Sequence, residues 1–425
     1  MKGSEEERVH AALAQLERAR MTRFELFKRG GITALGLGSL SALVAACGGG
    51  GGETAPTPPA ASTAAGASTS AAAAPPAATG AAPAASGTLD FFSWEGYDFP
   101  NKYIPTMKAW KKANGVTIKS SYIGNHDDIQ AKIKGGGGQG IDLITYYQGY
   151  KPLYKELGVI TPLDTDKLPN LANMFPFFAS DEKNFWVDPD GTRTGVPMFW
   201  GALGINYDSA VVTAPDTYDI LFDPKWKGKV AVIDDPNGVY TQAAHILGYD
   251  ISTLTKDQFS ATTDWLKKLV AQSKGISASY GDAATRLASG DSVYAIPGWY
   301  AVNSFAADAG KKTVKTTLPP EGGFGFCDSY AIPPTSDNVD TALAWINEGI
   351  DAHVNAEAAI YLVGGTTCQA SVPYLTPQIA ELYDYAHLDE FVQKAPFYNS
   401  PPTKSDQYAT FAEVMAAWQE VKAGA

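Results

Sequence analysis

Between Gly48 and Gly87 the chain uses only Gly, Ala, Pro, Ser and Thr, apart from the single charge of Glu53. Such a stretch buries too little apolar surface to offset the entropy of ordering it, so it builds no core and divides the chain in two. Ahead of it, basic side chains that include Arg23, Lys28 and Arg29 precede the uncharged run "GGITALGLGSLSALVAA" of Gly30 to Ala46. That run is short for a bilayer span and suits the apolar centre of an export signal. The consequence is a single folded body, residues 88–425, on a leash of 40 residues. A flexible leash of that length spans about 35 Å root-mean-square, at 5–6 Å times the square root of its length.

The phrase "LVAAC" resembles a lipoprotein signal box, which makes residues 1–47 a signal peptide, Cys47 the lipid-attachment site and residues 48–87 a disordered tether. The phrase "TRFELFKRGG" is similar to a twin-arginine export signal with Phe24 in place of the second arginine. Sec and twin-arginine routing both stay open, as do Met1 and Met21 as the true start. The body is then expected outside the cytoplasm, in a periplasm or on a cell surface, held to the membrane by lipid. An oxidising compartment permits Cys327 and Cys368 to form a disulfide, and neither has the spacing of a metal site.

With 33 Lys and Arg against 45 Asp and Glu the chain carries a formal −12, which argues against nucleic acid and allows a cationic partner. Strand-like and helix-like segments alternate through the body, the pattern of an α/β fold with largely parallel sheet. "TLDFFSW", "VTIKSSYI", "IDLITYY" and "SVYAIP" read as strands, and "YIPTMKAWKKANG" as a helix closed by Gly115. "TKDQFSATTDWLKKLVAQSKG" opens with Thr255 and Gln258 in capping-box spacing and is predicted to run to Gly275.

Several strand ends carry acids and aromatics: Trp94 and Tyr97, Tyr146 and Tyr147, Asp234 and Asp235, and Trp299. Open α/β sheets bind ligands in the crevice outside such ends. Asp328 stands alone as a charge in "GGFGFCDSYAIPP" and needs a partner, because a buried unpaired carboxylate costs several kcal/mol or more. The chemistry of common enzymes is missing: "KGGGGQG" is not a P-loop, no G-x-S-x-G elbow occurs, and five histidines show no ligand spacing. No metal or cofactor is implied. His126, Asp127 and Asp128 read as the start of a helix, where the acids favour the positive end of its dipole.

The phrases "FFSWEGY", "PKWKGKVAVIDDP", "LASGDSVYAIPGWYA" and "PPEGGFGFCDSYAIPP", with "ALAWIN" downstream, resemble the substrate-binding proteins of ABC importers, most of all the spermidine/putrescine-binding branch. The resemblance extends over nearly all of residues 88–425. It implies a two-lobed type II periplasmic-binding-protein fold, with residues 88–203 and 331–380 in one lobe and 204–330 and 381–425 in the other. A hinged cleft would lie between them. It implies a monomer that is no enzyme and uses no cofactor. Such a protein would capture a polyamine or related small cation and pass it to a permease and its ATPase.

Matched position by position, the ligand-binding residues would be Trp94, Tyr97, Tyr147, Asp235, Trp299, Phe326 and Asp328. Gly238 and Gly96 stand where that branch has further acids, and Gly149 where it has a tyrosine that Tyr147 or Tyr150 would replace. A neutral or anionic solute such as a sugar remains an alternative, as do a display protein and a hydrolase using Asp235 with Asp328 as an acid-base pair.

Overall fold

The computed structural model describes residues 83–424, apart from 95, 124–126, 137 and 181–183. The predicted signal peptide, Cys47 and nearly all of the tether lie outside the described residues, as does His126. The first strand, β1 (Gly87–Ser93), begins at the last tether residue, and Ser86 exchanges hydrogen bonds with Thr341.

One mixed sheet runs through the body in the order β2-β1-β3-β9-β4-β7-β5-β6. Its strands are β1, β2 (Val116–Tyr122), β3 (Leu143–Tyr147), β4 (Val196–Asp208), β5 (Val230–Ile233), β6 (Ser273–Ser277), β7 (Tyr294–Trp299), β8 (Val314–Thr317), β9 (Phe324–Ala331) and β10 (Gly365–Thr366). β1 lies parallel between β2 and β3, and β5 lies parallel between β6 and β7. The two parallel halves are joined by the antiparallel pair β4 and β9. All thirteen residues of β4 are buried. Its first half pairs with β9 and β10 and its second with β7 and β8, so one strand serves both lobes of an α/β fold. Pro197 has no N–H for the ladder, and the register with β9 slips between Pro197 and Phe199.

Local chemistry explains the helix ends. The helix Pro105–Asn114 starts on a proline, whose missing N–H costs nothing in the first turn, and stops at Gly115 in the left-handed conformation, φ 65°. The helix Lys256–Gln272 carries the full capping box of Thr255 and Gln258. It ends three residues before Gly275, contrary to the sequence prediction, because Ser273–Ser277 adds to the sheet edge as β6 beside β5.

Two cores follow from the two halves. The first is built on β1, β3 and the buried aromatics Phe99, Trp186, Trp200, Tyr330 and Trp345. Strand β5 alternates: Val230 and Val232 face the second core, with Tyr240, Leu266, Leu269 and Trp418, while Ala231 and Ile233 face the helices Tyr280–Ser289 and Ala301–Asp308. The second half therefore has helices on both faces of its sheet. Tyr383, Leu388, Val392 and Phe397 belong to the first core, and Tyr398 packs on the second.

The disulfide option for Cys327 and Cys368 is not taken: both are buried thiols outside any disulfide. The strand order explains it. Cys327 on β9 lies opposite Trp200 of β4, whose other neighbour is Gly365 of β10. Two interstrand steps separate those chains by about 10 Å, beyond the reach of a disulfide. Each sulfur instead approaches a backbone carbonyl, Cys327 that of Asp328 at 3.6 Å and Cys368 that of Ile350 at 3.4 Å.

Candidate functional site: a cleft lined by acids and aromatics

Asp328 sits on β9 opposite Tyr147 of β3 on one side and Phe199 of β4 on the other, where the two halves of the sheet meet. It is 6% exposed. The Tyr97 hydroxyl donates to Oδ2 at 2.6 Å, and Oδ1 receives no hydrogen bond among the described residues. Burial raises its carboxyl to about 6, against the opposing pull of the Tyr97 hydrogen bond. Burial, and then the charge of Asp328, drives the Tyr97 phenol well above its ordinary range, so it remains a donor.

Edge-to-face rings run from this acid across the cleft. Tyr97 meets Phe199 at 5.3 Å between centroids, Phe199 meets Phe326 at 5.9 Å, Phe326 meets Trp299 at 5.9 Å, and Trp299 meets Tyr280 at 5.5 Å. Glycines make room for them. A Cβ at Gly201, directly across from Phe326 in the β4–β9 register, would collide with the Phe326 ring. Gly96 holds φ 93°, a conformation that strains any other residue, and so positions Tyr97 where the implied acid at 96 would fit poorly. Phe199 and Tyr280 were absent from the sequence-derived set.

The second acid is differently employed. Asp235, two residues past the end of β5, caps the helix Pro236–Ile246, its Oδ1 accepting from the Gly238 N–H at 3.0 Å. A Cβ at 238 would collide with Asp235 Oδ2, so glycine there lets the carboxylate fold back onto the helix. Burial raises the Asp235 carboxyl. Tyr147, from the other lobe, lies within the field of both Asp235 and Asp328, and burial raises its phenol. Gly149 leaves space for the Tyr147 ring, while Tyr150 turns to Tyr154 and Phe411. Tyr280 also feels Asp235. Trp94, half-buried, packs on the first core.

Asp234, next in sequence to Asp235, takes no part. It accepts from Trp418 Nε1 at 2.7 Å and pairs with Lys422 at 3.0 Å, tying the C-terminal helix Phe411–Ala423 to the second core. Among the described residues no group of three or more His, Cys, Asp and Glu could hold a metal ion. The broad surface groove of about 770 Å³ near Pro100, Lys108, Lys112 and Thr117 holds none of the cleft residues. The cleft presents an ionisable carboxylate, a phenol donor and aromatic faces, groups of the kind that can replace water around an ammonium group.

The chain is similar to proteins of known class. The chain is 25% identical over 363 residues to the putrescine-binding periplasmic protein SpuD of Pseudomonas aeruginosa, covering 81% of this chain and 95% of that one. It is 26% identical over 346 residues to the spermidine/putrescine-binding periplasmic protein of Escherichia coli, covering 80% and 92%. The fold matches the TpPotD lipoprotein of Treponema pallidum with a TM-score of 0.65 at 21% identity, covering 79% of this chain and 99% of that one. The sequence profile of the bacterial extracellular solute-binding proteins matches residues 106–386. These are solute-binding transport proteins and not enzymes, and the chain described here belongs to the bacterial extracellular solute-binding protein family.

Proposed function

We propose that the protein is the lipid-anchored binding component of an ABC importer, taking a putrescine- or spermidine-like amine or a related small organic cation outside the cytoplasm. Cys47 carries the lipid, residues 48–87 are the leash, and a membrane permease with its ATPase receives the solute from a monomeric body. The observation that carries the reading is Asp328: a carboxylate with one oxygen held by Tyr97 and the other unbonded, at the head of an aromatic chain. An ammonium group there regains hydrogen bonds and gains about 0.5–2 kcal/mol from each ring face it covers. The relatives named for putrescine and spermidine support the ligand class.

The ligand-binding set is Tyr97, Tyr147, Asp235, Trp299, Phe326 and Asp328, joined by Trp94 at its edge and by Phe199 and Tyr280. We assign the hinge to the middle of β4, to β9 and to the crossing at Phe397 and Tyr398, because the two cores exchange members at these points. Closure would bring Tyr147 against Asp235. A thermal-shift titration of the full chain with putrescine, spermidine, maltose and an amino acid tests the reading. Saturation at 100 times Kd adds about 2.7 kcal/mol and a clear rise in Tm. A rise with an amine that Asp328→Asn abolishes is expected. A rise with maltose or the amino acid alone would discard the cation while keeping the receptor.

A further inference from the structure

Strand β3 ends at Tyr147, opposite Asp328, and the backbone then leaves the sheet in the short helical turn Gln148–Tyr150. Continued antiparallel pairing would have set residue 148 against Cys327. The backbone departs, but the side chain stays. Gln148 is fully buried, its Oε1 accepts the Cys327 N–H at 2.7 Å, and its Nε2 donates to the Tyr398 carbonyl at 3.3 Å. One amide therefore joins two backbones, using both of its ends.

The second of those backbones shows what the amide replaces. Residues 394–398 run beside β9 in the parallel sense: the Gly323 N–H donates to the Lys394 carbonyl at 2.9 Å, and the Gly325 N–H to the Pro396 carbonyl at 3.0 Å. The same stagger, carried on along both chains, would pair the Cys327 N–H with the Tyr398 carbonyl. Gln148 is inserted into that rung as a side-chain peptide unit. Beyond it the crossing bonds to the turn after β3, the Ser400 N–H donating to the Gly149 carbonyl at 2.9 Å. A Cβ at Gly149 would strike both the Tyr147 ring and the Tyr398 carbonyl, so glycine permits this close approach. The Tyr398 side chain reaches into the second half, its hydroxyl 2.8 Å from Nδ1 of His245 in the helix that Asp235 caps.

We infer that Gln148 is a positioning residue of the cleft: it pins the end of β3 to β9 and so holds the Tyr147 ring in place, while tying that ring to the crossing between the lobes. An uncharged side chain that accepts at one end and donates at the other is what the rung requires, and a primary amide is that group. Being fully buried, Gln148 acts through Tyr147 and not on the solute. The inference rests on the cation-receptor reading above and adds to it a residue that the sequence phrases did not mark.

Isothermal titration of the full chain with putrescine and spermidine tests the inference, in a double-mutant cycle with Tyr147→Leu. Gln148→Met keeps the length and removes both hydrogen bonds, and should weaken amine binding about tenfold, the worth of one buried polar contact. In the Tyr147→Leu background the same change should weaken it about twofold or less, because the ring that Gln148 positions is gone. Gln148→Asn keeps a buried amide that is one methylene short of joining both backbones. The same pattern is expected from it, so the cycle stands even where Gln148→Met does not fold. Amine affinity unchanged in the Gln148 variants, or the full loss repeated in the Tyr147→Leu background, would overturn the inference and leave the receptor reading standing. Binding of neither amine by the unaltered protein would overturn both.

Discussion

Asp328 and Asp235 each have one carboxylate oxygen hydrogen-bonded by the protein, and the different partners show two ways in which a fold positions an acid. Asp328 projects from the middle of a strand, where the backbone ladder is already complete, so nothing local competes for its oxygens. Its single partner, the Tyr97 hydroxyl, comes from a turn more than two hundred residues away and leaves Oδ1 free. Asp235 projects from the turn between a strand and a helix, and the Gly238 N–H of that helix takes its Oδ1. The same side chain thus meets a distant hydroxyl in one setting and its own helix in the other, with one oxygen left over in each.

The largest effect should come from removing the free charge. Asp328→Asn is expected to weaken amine binding roughly 100-fold or more in a calorimetric titration, because the ammonium is then buried against a neutral amide. The same variant should melt higher than the parent without ligand at pH 7.5. The carboxyl titrates at about 6 in the folded protein against an ordinary 3.8, so the folded state favours the protonated form. That preference stabilises the protein below the ordinary value, is lost as the pH rises through the folded value, and leaves a cost of about 1–3 kcal/mol above it. The asparagine never bears this cost. A variant that loses binding and also stability would mean that Asp328 holds the fold together, and the contrast with Asp235 would collapse.

The next effect is on pH. Amine binding requires the ionised carboxylate, so affinity should fall about tenfold between pH 7 and pH 5 as Asp328 takes up a proton. A flat profile over this range would remove Asp328 as the anchor. Smaller again is the effect of the aromatic wall. Gly201→Ala forces a methyl group into the Phe326 ring, so the chain from Phe199 to Trp299 must shift. A loss of about three- to tenfold in amine affinity is expected, together with about 1–3 kcal/mol of stability on chemical unfolding. Retained affinity would show that the wall beyond Phe199 is packing and not recognition.

How much of this could be read beforehand depends on what kind of signal each residue leaves. Tyr97, Asp328 and Trp299 announce themselves because each is an acid or aromatic at a strand end or alone in an apolar run, where burial is costly and position informative. The alternating α/β pattern and the caps at Gly115 and Thr255 were legible for the same reason, since local chemistry dictates them. Phe199 was not, because β4 is buried along its whole length and gives no periodicity to show which face meets the cleft. Tyr280 follows an N-cap serine in a segment whose position depends on β6, and "SKGIS" has too few apolar residues to be recognised as a strand. The separation of Cys327 from Cys368 needed the strand order, which no spacing reveals. The folding back of Asp235 needed the steric contact of Gly238 with its carboxylate, a fact of three dimensions only.

The smallest effect on binding should come from the acid nearest in sequence to the site. Asp234 and Asp235 look like one motif, and a carboxylate pair would suit a cation. In the folded chain Asp234 turns the other way and receives the indole N–H of Trp418, itself fully buried in the second core, with Lys422 alongside. Asp234→Ala leaves that buried N–H without an acceptor, which costs about 1–2 kcal/mol. Asp234→Asn keeps an oxygen in place and should recover most of that loss, the exposed ion pair with Lys422 contributing little. Amine affinity should stay within about twofold of the parent in both variants, since neither touches the cleft. A tenfold fall in affinity for Asp234→Asn, with stability preserved, would return Asp234 to the site beside Asp235.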